Sequence, residues 1–324
     1  MVAPIGQAVD ILPNLQVGEE EMHTQVLDDE EIPGRILFRF ETSLENAGPG
    51  EFRIETTGVP VKGADLFQVE QVIQQEGGGS RRVPTPGFSW NPSINMMEVK
   101  GWVDYRIREL LPGDAVGNVL KRGAKEQVNI TSTRVFDGTI PGAPPGPFRL
   151  TAGGGVQGIS VGYTDIYPTF LELQWIDITG LPSGEYWLEV AVDPANHALE
   201  ADENNNETRI KVTFVLPDED GDGLLDDKEG ELGTDPALKD TDEDDFWDRI
   251  EVEFGSDPLV KTDTPSTGIP GDVYPDEAVN IIDVQAIINV ILFGGMGMPT
   301  DVDGDVDTDI MDLNDVVNII LFGS

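Results

Sequence analysis

Two internal repeats of different period constrain what the last third of this 324-residue chain can fold into. The first has an offset of 22 residues. Asp218, Asp220, Asp222, Gly223, Asp226 and Glu229 are echoed by Asp240, Asp242, Asp244, Asp245, Asp248 and Glu251, and Gly233-Thr-Asp-Pro is echoed by Gly255-Ser-Asp-Pro. The second has an offset of 29 residues, with 272–292 echoed by 301–321. Units this short cannot bury a core alone, so neighbouring copies must pack together or be joined by a bound group.

The spacing of the acids identifies that group. Calcium takes six to eight oxygens, and a twelve-residue loop delivers them from positions 1, 3, 5, 7, 9 and 12, with glycine favoured at 6. Asp218, Asp220, Asp222, the carbonyl of Leu224, Asp226 and Glu229 fill these positions, with Gly223 at the turn. In the second loop the ligands are Asp240, Asp242, Asp244, the carbonyl of Phe246, Asp248 and Glu251. Asp245 replaces the glycine there, which is expected to strain position 6 and weaken the site. Asp301, Asp303, Asp305, the carbonyl of Asp307, Asp309 and Asp312 form a further loop. Its earlier copy keeps Asp272, Asp276, Asn280 and Asp283 but has Tyr274 at position 3 and Glu277 at position 6. Each of these two loops is followed by an apolar stripe at helical spacing: Val284, Ile287, Ile288, Ile291 and Leu292, then Leu313, Val316, Val317, Ile320 and Leu321. A solvated acidic linker has no reason to repeat these intervals, so calcium is the expected cofactor.

Charge divides the chain near Pro217. The formal charge is −41, and residues 217–324 hold 30 acids against 4 bases. Such a field repels phosphate backbones and anionic lipid, which excludes nucleic acid as a partner and leaves cations. No apolar run approaches the ~20 residues of a membrane span, and no signal peptide is visible at the N-terminus. The absence of cysteine removes disulfides, thiolate metal sites and cysteine nucleophiles, and two histidines leave little for zinc or copper. His23 and His197 read as ordinary surface histidines. No P-loop, dinucleotide fingerprint or Ser/His/Asp order appears. Asp165, Asp177, Glu200 and Asp202 read as strand-end acids rather than as a paired-carboxylate site.

Upstream, short β-rich runs alternate with turn signals. Gly/Pro loops are expected at 77–87 and 139–155, and a hairpin pairs 170–178 with 186–192 through the turn 180–184. The fold class is therefore mainly β: an antiparallel β-sandwich over 1–216, acidic calcium-loop repeats over 217–265 and a small α-helical module over 266–324.

Three resemblances follow from these motifs. The opening GDV, with DVQAIINVIL and DLNDVVNIIL in the helices, makes 266–324 resemble a dockerin, the duplicated calcium loop–helix module that docks onto cohesin domains. The resemblance implies partner contacts at loop positions 10 and 11: Ile281 and Ile282 in one copy, Ile310 and Met311 in the other. Apolar pairs there equally suit a core. The GTDPxxxDTDxDD junction over 233–245 is similar to thrombospondin type 3 repeats. The run QGISVGYTDIYPTFLELQWIDITGLPSGEYWLEVAVDP over 157–194, with Glu200-x-Asp202-x-x-Asn205-Asn206 after it, resembles the catalytic domain of lysyl oxidases. That family is implied to oxidise lysine ε-amino groups, using copper and a quinone made from one tyrosine and one lysine of its own chain. Tyr167 and Lys125 match the quinone precursors. The family's copper histidines fall at Asn91, Ile94, Met96 and Glu98, none of which is histidine. An amide, a thioether and one carboxylate do not make the tetragonal imidazole site that Cu(II) prefers, so copper is not expected.

The leading expectation is an extracellular or cell-surface, bacterial-type, calcium-binding protein. It has a degenerate, non-catalytic lysyl oxidase-like domain, a cohesin-like docking partner, and cell-surface or extracellular-matrix contacts. Two alternatives stay open: a copper amine oxidase with an unorthodox metal site, and a carbohydrate- or matrix-adhesion sandwich.

Overall fold

The computed structural model describes residues 8–58, 67–91, 96–148, 155–244, 246–265, 272–274, 278–293 and 310–322. The chain is mainly β with antiparallel sheets. It divides into two compact units. One comprises Met1–Leu27, Phe38–Asp177 and Glu185–Thr213; the other comprises Asp28–Leu37, Ile178–Gly184 and Phe214–Ser324.

The β-rich unit is built on a nine-stranded sheet. Along its main path the strands run Val156–Ile159, Phe52–Thr56, Phe67–Gln75, Ser80–Asn91, Met96–Leu111, Gly184–Val192 and Glu207–Phe214. Ala115–Val128 also pairs with Met96–Leu111. A four-stranded sheet orders Arg134–Val135, Tyr163–Tyr167, Thr42–Asn46 and Leu15–Gly18. Tyr186, Leu188, Val190 and Val192 share one face and are all buried; from Leu188 on the other face is covered too, with Glu189 and Ala191 buried. The aromatic core joins Phe52 to Trp102 (ring centroids 5.7 Å) and Phe40 to Tyr105 (5.0 Å).

Two expectations for this unit are corrected. Gly184–Val192 does not pair with its upstream neighbour. Its partner is Met96–Leu111, in register from Tyr186↔Glu109 to Val192↔Val103. Of 170–178, only Trp175–Asp177 is a strand, and it joins Leu37–Phe40 in a separate three-stranded sheet. Gln174 anchors that shift, its buried amide donating to the Phe40 carbonyl and Thr42 Oγ1. The Gly/Pro run 77–87 contains only a short turn. Gly77, Gly78 and Gly79 all have positive φ, and the strand Ser80–Asn91 absorbs Pro84 and Pro86 beside a register shift.

Among the described residues of the second unit the acidic repeats form four helices: α1 (Asp226–Leu232), α2 (Asp248–Phe254), α3 (Ile281–Phe293) and α4 (Ile310–Phe322). The repeated glycines close the first two. Gly233 (φ 91°) and Gly255 (φ 81°) adopt the left-handed conformation, and their N–H groups donate to the carbonyls of Glu229 and Glu251. Between α3 and α4 a small core forms from Val273, Ala286, Ile287 and Val316. The apolar stripe of α4 outlasts this core: Ile320 and Leu321, one turn past Val316, are exposed.

Candidate functional site

The first acidic loop converges as its spacing requires. Carboxylate oxygens of Asp218, Asp220 and Asp222 lie within 4.8 Å of one another. The backbone holds them there. The N–H groups of Gly221 and Gly223 donate to the two oxygens of Asp218 (2.7 and 3.1 Å), that of Asp222 to Asp220 (2.9 Å), and that of Leu224 to Asp222 (2.6 Å). Asp226 reaches back to accept the Glu219 N–H at 2.8 Å. Glu229 is 0% exposed, yet neither of its carboxylate oxygens has a hydrogen-bond donor. Burial and the carboxylates of Asp220 and Asp222 push its pKa up to about 8, and burial pushes Asp220 to about 6.

The second loop repeats the arrangement. Asp240, Asp242 and Asp244 converge within 4.8 Å, and Thr241 donates through N–H and hydroxyl to Asp248 at 2.8 and 2.7 Å. Both oxygens of Asp242 lack donors, and Glu251 is fully buried with one oxygen bare and a pKa near 8, raised mainly by burial. Position 6, Asp245, lies outside the described residues. Among the described residues of the loop, strain is visible at position 4. Gly221 has φ 75° in the first loop, whereas Glu243 must adopt φ 62° in the second, a conformation that costs a non-glycine residue on the order of 1 kcal/mol.

In the third loop Asp283 accepts the N–H groups of Tyr274 (2.9 Å) and Asn280 (2.7 Å), while Asp272 is buried. Asp276, the expected ligand positions within 301–309 and the side chain of Asp312 lie outside the described residues. Ile281, Ile282 and Ile310 are exposed at 73%, 45% and 64%. These apolar positions are therefore surface, not core.

In the β-rich unit two of the implied copper positions, Asn91 and Glu98, are bonded to each other. Asn91 Nδ2 donates to Glu98 Oε1 at 2.8 Å across the register pairs Asn91↔Met96 and Ser89↔Glu98. Met96 and Glu98 sit on the strand face opposite the buried Met97 and Val99; Ile94 lies outside the described residues. The quinone-precursor positions have separate partners. Lys125 is buried and donates its ammonium to the carbonyl of Glu172. Tyr167 is buried and donates its hydroxyl to Asp165 Oδ2 at 2.9 Å. Asp165 is not a strand-end acid. It is 2% exposed, accepts a second bond from the Thr131 N–H, and is raised by burial to about 7. His197 is half-buried, its ring edge-on to Phe88 and filling the space a Cβ at Gly87 would need, while His23 is exposed near Glu19.

Sequence reasoning missed a further oxygen cluster, in the turn between Gly184–Val192 and Glu207–Phe214. Glu200 accepts from the Leu15 N–H and from Asn206 Nδ2, and Glu203 from the Glu200 N–H. Around them, Asn14 Oδ1, Glu203 Oε2, Asn205 Oδ1 and Asn206 Oδ1 are buried without a donor. Burial and the nearby Glu203 and Asp193 raise Glu200 to about 8. The signal was the run Glu200 to Asn206, visible in sequence only as part of a longer resemblance.

Residues 148–217 match the model of the lysyl oxidase family. Over 60 residues the chain is 44% identical to lysyl oxidase homolog 2 of Gallus gallus, an overlap covering 18% of this chain and 8% of that protein. It is 38% identical over 60 residues to lysyl oxidase homolog 4 of Mus musculus, with the same coverage. It is 39% identical over 59 residues to protein-lysine 6-oxidase of Rattus norvegicus, covering 18% of this chain and 14% of that one. The chain thus spans only a small part of these relatives' length. The family match takes in Tyr167 and the Glu200–Asn206 turn but neither Lys125 nor the 91–98 positions. The chain carries a lysyl oxidase-like domain at residues 148–217.

Proposed function

We propose that this is an extracellular calcium-binding modular protein whose lysyl oxidase-like domain, a β-sandwich in kind, does no amine-oxidase chemistry and whose C-terminal, dockerin-like module docks onto a cohesin-like domain. The observation that carries the calcium reading is Glu229. A fully buried carboxylate with two bare oxygens, in the field of Asp220 and Asp222 from the converged cluster, stays ionised only if a cation completes it. The oxygen-only donor set suits a hard ion. Glu251, buried with one bare oxygen, is its counterpart in the second loop of the same thrombospondin type 3-like segment. The exposed Ile281, Ile282 and Ile310 suit docking to an apolar protein surface.

The residues present do not fit copper. The amide of Asn91 is spent on Glu98, and the remaining thioether and carboxylate lack any imidazole. Without the metal, the buried Tyr167–Asp165 pair is a packing element. Metal analysis of the full chain is expected to find calcium at integral stoichiometry and no copper after copper loading, with neither quinone staining nor peroxide release from amines. One copper per chain with both activities would establish an amine oxidase instead.

The cation reading extends to the turn around Glu200, where four buried oxygens lack donors. Asn205→Ala is expected to weaken one calcium ion by at least about tenfold. Unchanged binding isotherms for that variant would remove this site from the count.

A further inference from the structure

The third loop departs from the calcium spacing at Tyr274, and the structure gives that residue a different set of partners. Its hydroxyl donates to Glu253 Oε1 at 2.9 Å, its ring meets Phe254 edge-on at 5.5 Å, and the Arg35 guanidinium lies 5.8 Å from its centroid. Glu253 belongs to α2, and its other oxygen accepts Arg249 Nη1 at 2.6 Å, with both side chains less than a tenth exposed. Arg249 in turn holds the first loop. Its backbone N–H donates to Asp222 Oδ2 and its Nε to the Asp222 carbonyl, each at 3.0 Å. A Cβ at Gly223 would stand 2.8 Å from Arg249 Cδ, so the glycine at position 6 also clears room for this arginine.

An unbroken run of hydrogen bonds therefore leads from Asp222, a ligand position of the first loop, through Arg249 and Glu253 to Tyr274 in the third. We propose that this relay couples cation binding in the first loop to the ordering of the third loop and α3. The inference rests on the calcium reading of the first loop. With an ion present, the carboxylates of Asp218, Asp220 and Asp222 are neutralised and Asp222 is held where Arg249 can grip it. Without one they repel, and Asp222 is the member whose displacement pulls on Arg249. Glu253, which accepts from Arg249 on one oxygen and from Tyr274 and the Arg35 guanidinium on the other, passes that movement on. Tyr274 thus trades a ligand for a joint.

The test uses the full chain, with native mass spectrometry counting calcium ions and hydrogen exchange reading the amides of α3. Glu229→Gln is expected to lose one ion and to speed α3 exchange by about tenfold, although no residue of the third loop is changed. Coupling is reciprocal, so Tyr274→Phe, which keeps the ring and removes only the hydroxyl, is expected to weaken first-loop calcium binding about threefold. In the double variant the effect of Glu229→Gln on α3 disappears. Loss of the ion with unaltered α3 exchange would overturn the relay while leaving the calcium reading intact. An unchanged ion count in Glu229→Gln would overturn the first-loop calcium reading and the relay with it. Should Glu229→Gln fail to fold, wild-type first-loop affinity in Tyr274→Phe overturns the relay by itself.

Discussion

Glu229→Gln is expected to change the sign of its effect on stability with calcium. In excess calcium the variant should melt well below the wild type, because one site is lost. An ion at a hundredfold excess over its dissociation constant stabilises the folded state by about 2.7 kcal/mol, on the order of 8–16 °C for a unit of this size. In chelator at pH 8.5 the order should invert. Glu229 is then a buried anion with no donor on either oxygen, and glutamine of nearly the same volume removes the charge. The pH dependence follows from the raised carboxyls. Glu229 and Glu251 have folded pKa values near 8 against an ordinary 4.5. Without ions the folded state therefore binds more protons than the unfolded one between these values, and stability falls as pH rises from 4.5 through 8. Calcium displaces those protons, so the loaded protein escapes the decline. The gap between calcium and chelator melting should widen from pH 5.5 to 8.5, with residues 218–324 loosening far more than the β-rich unit. Scanning calorimetry of both proteins at three pH values checks all of this. Coincident melting with and without chelator would be incompatible with calcium in these loops.

The sequence made the convergence of Asp218, Asp220 and Asp222 legible because a tight turn brings acids at every second position together, and spacing survives in one dimension. Three other features were hidden for physical reasons. The alternation of 171–175 would look the same whichever strand it paired with, so nothing local marked that Gly184–Val192 would pair with Met96–Leu111. The conformational demand at position 4 of the acidic loops was masked because Glu243 meets it at φ 62° without being glycine. Asp165 and Asp177 look alike as strand acids, yet Asp165 is 2% exposed and Asp177 is not buried. Burial of a single acid is a property of packing from distant strands, which no spacing records. Tyr274 shows the opposite case: the departure was plain, but its partners come from 21 residues upstream in α2 and from Arg35.

The second large effect concerns the Asp165–Tyr167 pair. Asp165→Asn is expected to flatten the pH dependence of the β-rich unit's stability between pH 4 and 8. Its carboxyl titrates near 7 in the folded chain against an ordinary 3.8. The folded state thus holds the extra proton, and the wild type loses stability as pH rises through this window, by up to about 4 kcal/mol from this group alone. Asparagine keeps the acceptor for the Thr131 N–H and the Tyr167 hydroxyl but cannot ionise. Denaturant melts of both proteins at pH 5 and 8 isolate the difference; parallel curves would show that Asp165 is not the titrating group. Tyr167→Phe works from the other side, leaving the buried carboxyl one donor short at a cost of about 1–3 kcal/mol, most at high pH where the carboxylate needs that donor. If Tyr167 is a packing partner of Asp165, this loss of stability is its whole phenotype. A quinone precursor would instead lose amine turnover and quinone staining while its stability changed little. The two roles are separated by one hydroxyl, because the group that steadies Asp165 is the group a quinone would have to consume.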